Sequence, residues 1–245
     1  MARGNELISC AVKAHGGWDH WNPVKEIAFR VRTTGLALAT RFRPFGFGTS
    51  NVKISPRFPK VLIDPFPRKG FRGIFERDRV SLERADGSHV KDRSDPGTYF
   101  HTFRRKLFWD NLDLLYFGGF AFWNYMNLPF LLDTSGVSIS ELDPVREGGE
   151  EFRRVRATFP EDLPTHSSDQ VFYLNREGLI VRHDYIASSF GKWARAAHYS
   201  SEFIVTKGLV IPTRRVVYPR TEGGQPLKSV VLVHLEISDI EVIRK

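Results

Sequence analysis

The period of the hydrophobic positions changes along the chain, and each change marks an element. Leu7, Ile8, Ala11, Val12 and Ala14 recur at helical spacing over residues 5–15, and Gly16-Gly17 supplies a C-terminal stop. A short helical turn is expected over 18–24. From Lys25 the period falls to two: Ile27, Phe29 and Val31 alternate with Ala28, Arg30 and Arg32, as in a strand with one buried and one wet face. Short extended pieces follow, punctuated by Pro44, Gly46, Pro56, Pro59, Pro65, Pro67 and Gly70, which predicts an antiparallel meander. A hairpin over 74–84 turns at Arg77-Asp78, and Asp86-Gly87 closes another turn. Later strands are expected at 152–159, 169–175, 179–187, 196–206, 209–218 and 229–241, with turn signals at Lys207-Gly208 and Glu222-Gly223-Gly224. No β–α–β alternation appears. The pattern therefore predicts a mainly β (α+β) protein, one domain over 1–245, built on a curved antiparallel sheet with an inserted helical segment.

That insertion, residues 107–132, departs from both periods and holds nine aromatic residues. Trp109, Leu112, Tyr116, Phe120 and Trp123 make one helical stripe; Phe108, Leu115, Phe122 and Met126 make a second; Leu114, Phe117, Ala121 and Tyr125 make a third. A helix apolar all round must be covered all round, by protein, lipid or a bound ligand. Asp110, Asn111, Asp113 and Pro129 leave the stretch shorter and more polar than a bilayer span. Against a curved sheet with an apolar inner face, it is expected to form the lid and wall of a cavity.

Composition narrows the setting. Hydrophobic residues make up 41% of 245 positions, enough for a substantial core, and the net charge of +8 favours acidic partners, including an anionic membrane surface. The single cysteine, Cys10, excludes an internal disulfide. Leu7-Ile8-Ser9-Cys10 has the form of a lipoprotein-processing box, but only Met1 to Glu6 precede it, short of a signal peptide, so a cytoplasmic location is expected. Arg41-Phe42-Arg43 and Arg68-Lys69-Gly70-Phe71-Arg72 interleave basic and aromatic residues, yet no nucleic-acid-binding module accompanies them and nucleic acid is not expected. His15 and His20 lack a third ligand, and neither a phosphate loop nor a nucleophile elbow occurs, so no metal or cofactor is expected.

Two segments resemble a known group. Ala14-His15-Gly16-Gly17-Trp18 with Trp21, leading through Val24-Lys25 into a strand, is similar to the start of bacterial outer-membrane lipoprotein-sorting proteins. The run from Tyr199 through Gly208-Leu209-Val210-Ile211-Pro212-Thr213 to Ile237-Ser238-Asp239-Ile240-Glu241-Val242 resembles their closing strands. The resemblance implies a LolA-like half-barrel closed by helices over an apolar cavity that holds acyl chains or other lipophiles.

Alternation within the late strands then selects candidate residues. In 179–187 the apolar face carries Leu179, Val181, His183, Tyr185 and Ala187, with Arg182 and Asp184 pointing away. His183 and Tyr185, joined by Tyr173 and Tyr199 from neighbouring strands, are expected as a small polar group inside an apolar pocket, the usual form of a small-molecule site. Tyr116, Phe120 and Trp123 would supply apolar contact to a lipophilic or aromatic ligand. The alternative is an enzyme working by acid–base chemistry on a lipophilic substrate (an isomerase, cyclase or hydrolase), with His183, or His198 oriented by Asp184 on the adjacent strand, as base. Blander readings stand beside both: His183 as a core imidazole satisfied by one hydrogen bond, and Asp184, His198, Gln170, Arg182 and Glu202 as a polar ladder on the solvent face.

Overall fold

The computed structural model describes residues 3–245, and its organising element is one antiparallel sheet of thirteen strands. After helices α1 (Arg3–Ala14) and α2 (Gly17–Trp21), six strands run as consecutive hairpins: β1 (Val24–Thr34), β2 (Thr49–Ser55), β3 (Lys60–Asp64), β4 (Phe71–Glu76), β5 (Arg79–Arg84) and β6 (His89–Ser94). Helices α3 (Phe103–Leu107) and α4 (Asn111–Asn127) come next. A second meander follows with β7 (Ser138–Glu147), β8 (Glu150–Thr158), β9 (Asp169–Leu174), β10 (Ile180–Ile186), β11 (Arg195–Thr206) and β12 (Leu209–Pro219). The last strand, β13 (Val233–Arg244), fits between β1 and β12 and joins the two meanders into the order β6-β5-β4-β3-β2-β1-β13-β12-β11-β10-β9-β8-β7.

This order explains the position of α4. The sheet does not close, so β6 and β7 are its two edges, and the segment between them must carry the chain from one edge to the other. It does so across the inner face. α4 packs on β2 to β5, yet Arg215 of β12 donates to the Tyr125 carbonyl and His198 of β11 lies edge-on to the Tyr125 ring. On a flat sheet β4 and β11 would stand six strand spacings apart, about 29 Å. A helix is only about 10–12 Å across. The sheet must therefore curve around α4, which gives the unclosed, LolA-like architecture expected from the sequence.

Local chemistry fixes where α4 begins. The Asp110 carboxylate accepts from the backbone N–H groups of Leu112 (2.9 Å) and Asp113 (3.0 Å), while Asp113 Oδ2 accepts from Asp110 N (2.8 Å), a reciprocal capping box. Arg93 and Arg105 pair with both carboxylates and tie this cap to β6 and α3. The helix is shorter than the 107–132 stretch: Leu107 ends α3, and Phe130–Asp133 form a separate 3₁₀ turn beyond Pro129. Every residue from Leu112 to Asn127 is buried except Tyr116. Two glycines let the helix approach the sheet: a Cβ on Gly118 would lie 2.1 Å from Phe47 Cζ, and one on Gly119 2.4 Å from Phe75. The aromatic helix thus occupies the concavity rather than roofing an open one. Elsewhere the alternation holds: Ile27, Phe29 and Val31 of β1 are all buried, as their spacing predicts.

Candidate functional site

The expected residues divide between the two faces of the sheet, and register decides which go where. In β10, His183 stands opposite Phe172 of β9 and His198 of β11, whereas Arg182 stands opposite Tyr173 and Tyr199. Directly paired residues share a face. His183, Tyr185 and His198 therefore point inward at α4, while Tyr173, Arg182, Asp184 and Tyr199 point outward.

This corrects two expectations. Tyr173 and Tyr199 do not join His183, and Asp184 does not orient His198, because Asp184 is paired with Ala197 one residue further along. A shift of one residue moves a side chain to the opposite face. The outward group is not a solvent ladder either: Arg182 and Asp184 are buried beneath the β7–β8 turn and the 220–225 turn. Arg182 meets Asp184 through two 2.8 Å bonds, Glu147 at 2.7 Å and the Gly224 carbonyl at 2.8 Å. Tyr173 donates to Asp184 at 2.9 Å, and Tyr199 donates to Glu147. Every charge in this network is met, which suits a clamp holding two turns against the sheet. Gln170 is placed elsewhere again, opposite Tyr185 and bonded to Thr165 Oγ1, and Glu202 is exposed and paired with Arg214.

The inward group is different. His183 and His198 lie 4.4 Å apart between ring centroids, and Tyr185 stacks on His183 at 4.8 Å. Two residues join them that the strand pattern did not select. His166, from the loop before β9, stacks on Tyr185 at 4.1 Å and lies 3.2 Å from the Tyr125 hydroxyl. Arg215 of β12 places its guanidinium 4.8 Å over the Tyr125 ring, donating to Ser200 Oγ and the Tyr125 carbonyl, both at 3.0 Å. Arg215 was legible in principle, since it shares strand parity with Val217 on the inner face. His166, in Thr165-His166-Ser167 before a strand, could be expected to reach the cavity rim, but a loop carries no period to fix its direction.

Burial governs the electrostatics. It holds the His166 imidazole at a pKa of about 3 and those of His183 and His198 well below the usual histidine range, with neighbouring imidazoles and Arg215 adding to the effect. It also pushes the Tyr125 phenol up to about 12 and the Arg215 guanidinium down to about 10. At neutral pH the cluster therefore consists of three neutral imidazoles, two neutral phenols and one guanidinium cation. Among the described residues no salt bridge reaches Arg215, although it is only 3% exposed. Its Nε, Nδ1 of His166, Nδ1 of His183 and both ring nitrogens of His198 are buried without a hydrogen-bond partner. These are the groups that buried polar chemistry normally satisfies.

A small, partly open cavity of about 30 Å³ adjoins Arg215 and His198, lined also by Phe117, Ala121, Phe122 and Tyr125 of α4 and by Tyr185 of the sheet, among others. The expected contacts Tyr116, Phe120 and Trp123 belong to a different stripe of α4. Phe120 is buried against Tyr116, Phe117 and His166. Tyr116 and Trp123 border two solvent-open clefts of about 450 and 460 Å³ on either side of the 160–163 loop, which the Arg77–Asp162 ion pair bridges. Among the described residues no group of His, Cys, Asp and Glu converges as a metal-ligand set.

No protein-family model matches the chain, and no curated protein matches its sequence. Solved structures do match. A LolA superfamily protein from Nitrosomonas europaea aligns over 100% of this chain and 96% of its own, with a TM-score of 0.55 at 10% identity. A DUF1329 family protein from Desulfovibrio piger aligns over 99% and 94%, with a TM-score of 0.55 at 13% identity. A domain described as an outer membrane lipoprotein-sorting protein, from Vibrio parahaemolyticus, aligns over 98% and 92%, with a TM-score of 0.54 at 10% identity. The resemblance carried by Gly16-Gly17-Trp18 and the closing strands is thus a likeness of the whole backbone, and the chain has a LolA-like fold from α1 to β13.

Proposed function

We propose that the protein binds a lipophilic carboxylic acid on the inner face of the sheet, with the acid group at Arg215 and the apolar body between α4 and strands β11 to β13. One observation carries the reading. A buried guanidinium without a counter-charge opens onto an apolar cavity whose wall also offers unpartnered imidazole nitrogens. A charge removed from water is costly unless paired, and a carboxylate would supply both the missing charge and acceptors for the orphaned donors. A mostly apolar cavity with a few convergent polar groups is the common form of a small-ligand site. A cavity of about 30 Å³ admits only the polar end, so uptake of an acyl chain requires α4 to move off β11 to β13. Tyr116 and Trp123, at the clefts flanking α4, would then contact the emerging chain. The description of one structural relative as a lipoprotein-sorting protein accords with an apolar cargo.

Native mass spectrometry of the purified protein titrated separately with palmitate, methyl palmitate and hexadecanol tests this reading. A one-to-one complex that forms with palmitate at far lower concentration than with the ester or the alcohol is expected. Equal uptake of all three, or of none, would remove the acid from the proposal.

A further inference from the structure

The inner-face cluster leaves one conspicuous feature of the surface unused. Phe42, Phe45, Phe103 and Trp193 are 65%, 86%, 78% and 71% exposed, and Leu107 and Phe108 are about half exposed. They come from three distant segments, 35–48, 102–109 and 187–195, that the fold assembles at one end of the sheet. Phe42 stacks on Phe108 at 4.4 Å, and Arg43 donates to the Trp109 carbonyl at 2.6 Å. Arg41 lies 4.8 Å from the Phe190 ring centre and donates to the Phe190 carbonyl, which draws in the third segment. Phe42 is held outward in a left-handed backbone conformation (φ 60°) at the end of the 3₁₀ turn Ala39–Arg41, a conformation that non-glycine residues seldom adopt. Exposed aromatic clusters of this kind mark interaction surfaces.

The charges of the same segments identify the partner. None of the three contains an aspartate or glutamate; of their seven cations Arg105 is paired with Asp110 and Asp113, and Arg195 with Glu222. Arg104, Lys106 and Lys192 are exposed. Rings that enter the acyl boundary, with cations beside them at the level of the head groups, are the composition of an interfacial membrane anchor.

We infer that this end of the molecule docks on an anionic lipid bilayer, with Phe42, Phe45, Phe103 and Trp193 inserted and Arg104, Lys106 and Lys192 meeting lipid phosphates. The 35–48 segment also supplies Leu38 and Phe47 to the inner cavity, so the docked face adjoins that cavity. The docking itself does not depend on any ligand being bound there.

Flotation of the full chain with phosphatidylcholine vesicles, and with vesicles containing added phosphatidylglycerol, tests the inference. The wild type is expected to float with the anionic vesicles and to be released by salt, since an exposed charge interaction is screened. Each cation near such a surface contributes about fivefold in partitioning, so Arg104→Gln/Lys106→Gln/Lys192→Gln is expected to bind roughly 10²-fold more weakly. Phe42→Ser/Phe45→Ser should also lose flotation, with an unchanged circular dichroism spectrum because both side chains are exposed. Wild-type protein that ignores phosphatidylglycerol, or either variant floating like the wild type, would overturn the inference. So would sedimentation showing that the wild type pairs with a second copy through these residues instead of binding vesicles.

Discussion

Replacing Arg215 by methionine separates a ligand-binding charge from a structural one. Burial lowers the guanidinium pKa from 12.5 to about 10, which corresponds to a cost of about 3 kcal/mol for holding the charge in the folded protein. Because the folded value lies below the unfolded one, this cost applies at every pH below about 10 and is relieved only as pH rises past it. Against it stand hydrogen bonds to Ser200 and the Tyr125 carbonyl, worth about 1.5–3 kcal/mol each when charge-assisted, and the Tyr125 ring face, worth about 1 kcal/mol. Methionine returns about 1–2 kcal/mol through apolar burial. The sum leaves ligand-free Arg215→Met between about 1 kcal/mol more stable and about 3 kcal/mol less stable than the wild type, a Tm change under roughly 12 °C for a chain of this size. Binding should behave differently, since removing one partner of a buried ion pair costs about 3–5 kcal/mol. Calorimetric titration should therefore show palmitate bound roughly 10²- to 4 × 10³-fold more weakly by the variant, with methyl palmitate little affected. A variant that binds palmitate like the wild type would exclude Arg215 as the anchor of the acid group. A ligand-free variant destabilised by more than about 5 kcal/mol would assign Arg215 to the core instead.

Three further outcomes follow from the same geometry. The imidazoles of His15, His166, His183 and His198 are held below their unfolded values by burial, so the unfolded chain takes up protons first and stability is lost as pH falls below about 6.5. Urea unfolding between about pH 6 and 4 should show up to about 1.4 kcal/mol per pH unit for each, and His183→Phe should flatten the profile by one such increment; an unchanged slope would contradict the burial. Gly118→Ala places a methyl group against Phe47 and should cost about 1–3 kcal/mol in thermal unfolding, largely recovered in Gly118→Ala/Phe47→Leu. Trp123→Ala removes a buried indole that donates to the Ser55 carbonyl at 2.9 Å, and should lower stability by about 3–5 kcal/mol while leaving the palmitate preference over its ester intact.

Much of the fold was legible because alternation reports burial directly. Ile27, Phe29 and Val31 point inward as their spacing required. The inward direction of His183 and Tyr185 came from the same rule. What strand periods do not contain is register between strands, and there the reading failed: Tyr173 and Tyr199 pair with Arg182, and His198 pairs with His183. The path of α4 was hidden for a related reason. Its all-round apolarity demanded cover on every side, but only the placement of β13 between β1 and β12 makes β6 and β7 the edges that α4 must connect. Arg215 was the most informative residue left unread, a charge on the parity of an apolar face, and His166 depends wholly on how the loop before β9 folds back.

The proposed function stands on a lipophilic acid binding beneath α4 with its carboxylate on Arg215. A crystal structure of the protein with palmitate tests it most directly. Carboxylate oxygens are expected about 3 Å from the Arg215 guanidinium, with α4 moved off β11 to β13 and the chain running in the space it leaves. Palmitate seated only in the outer clefts beside Tyr116 and Trp123, with α4 unmoved and Arg215 bonded as before to Ser200 and the Tyr125 carbonyl, would contradict it.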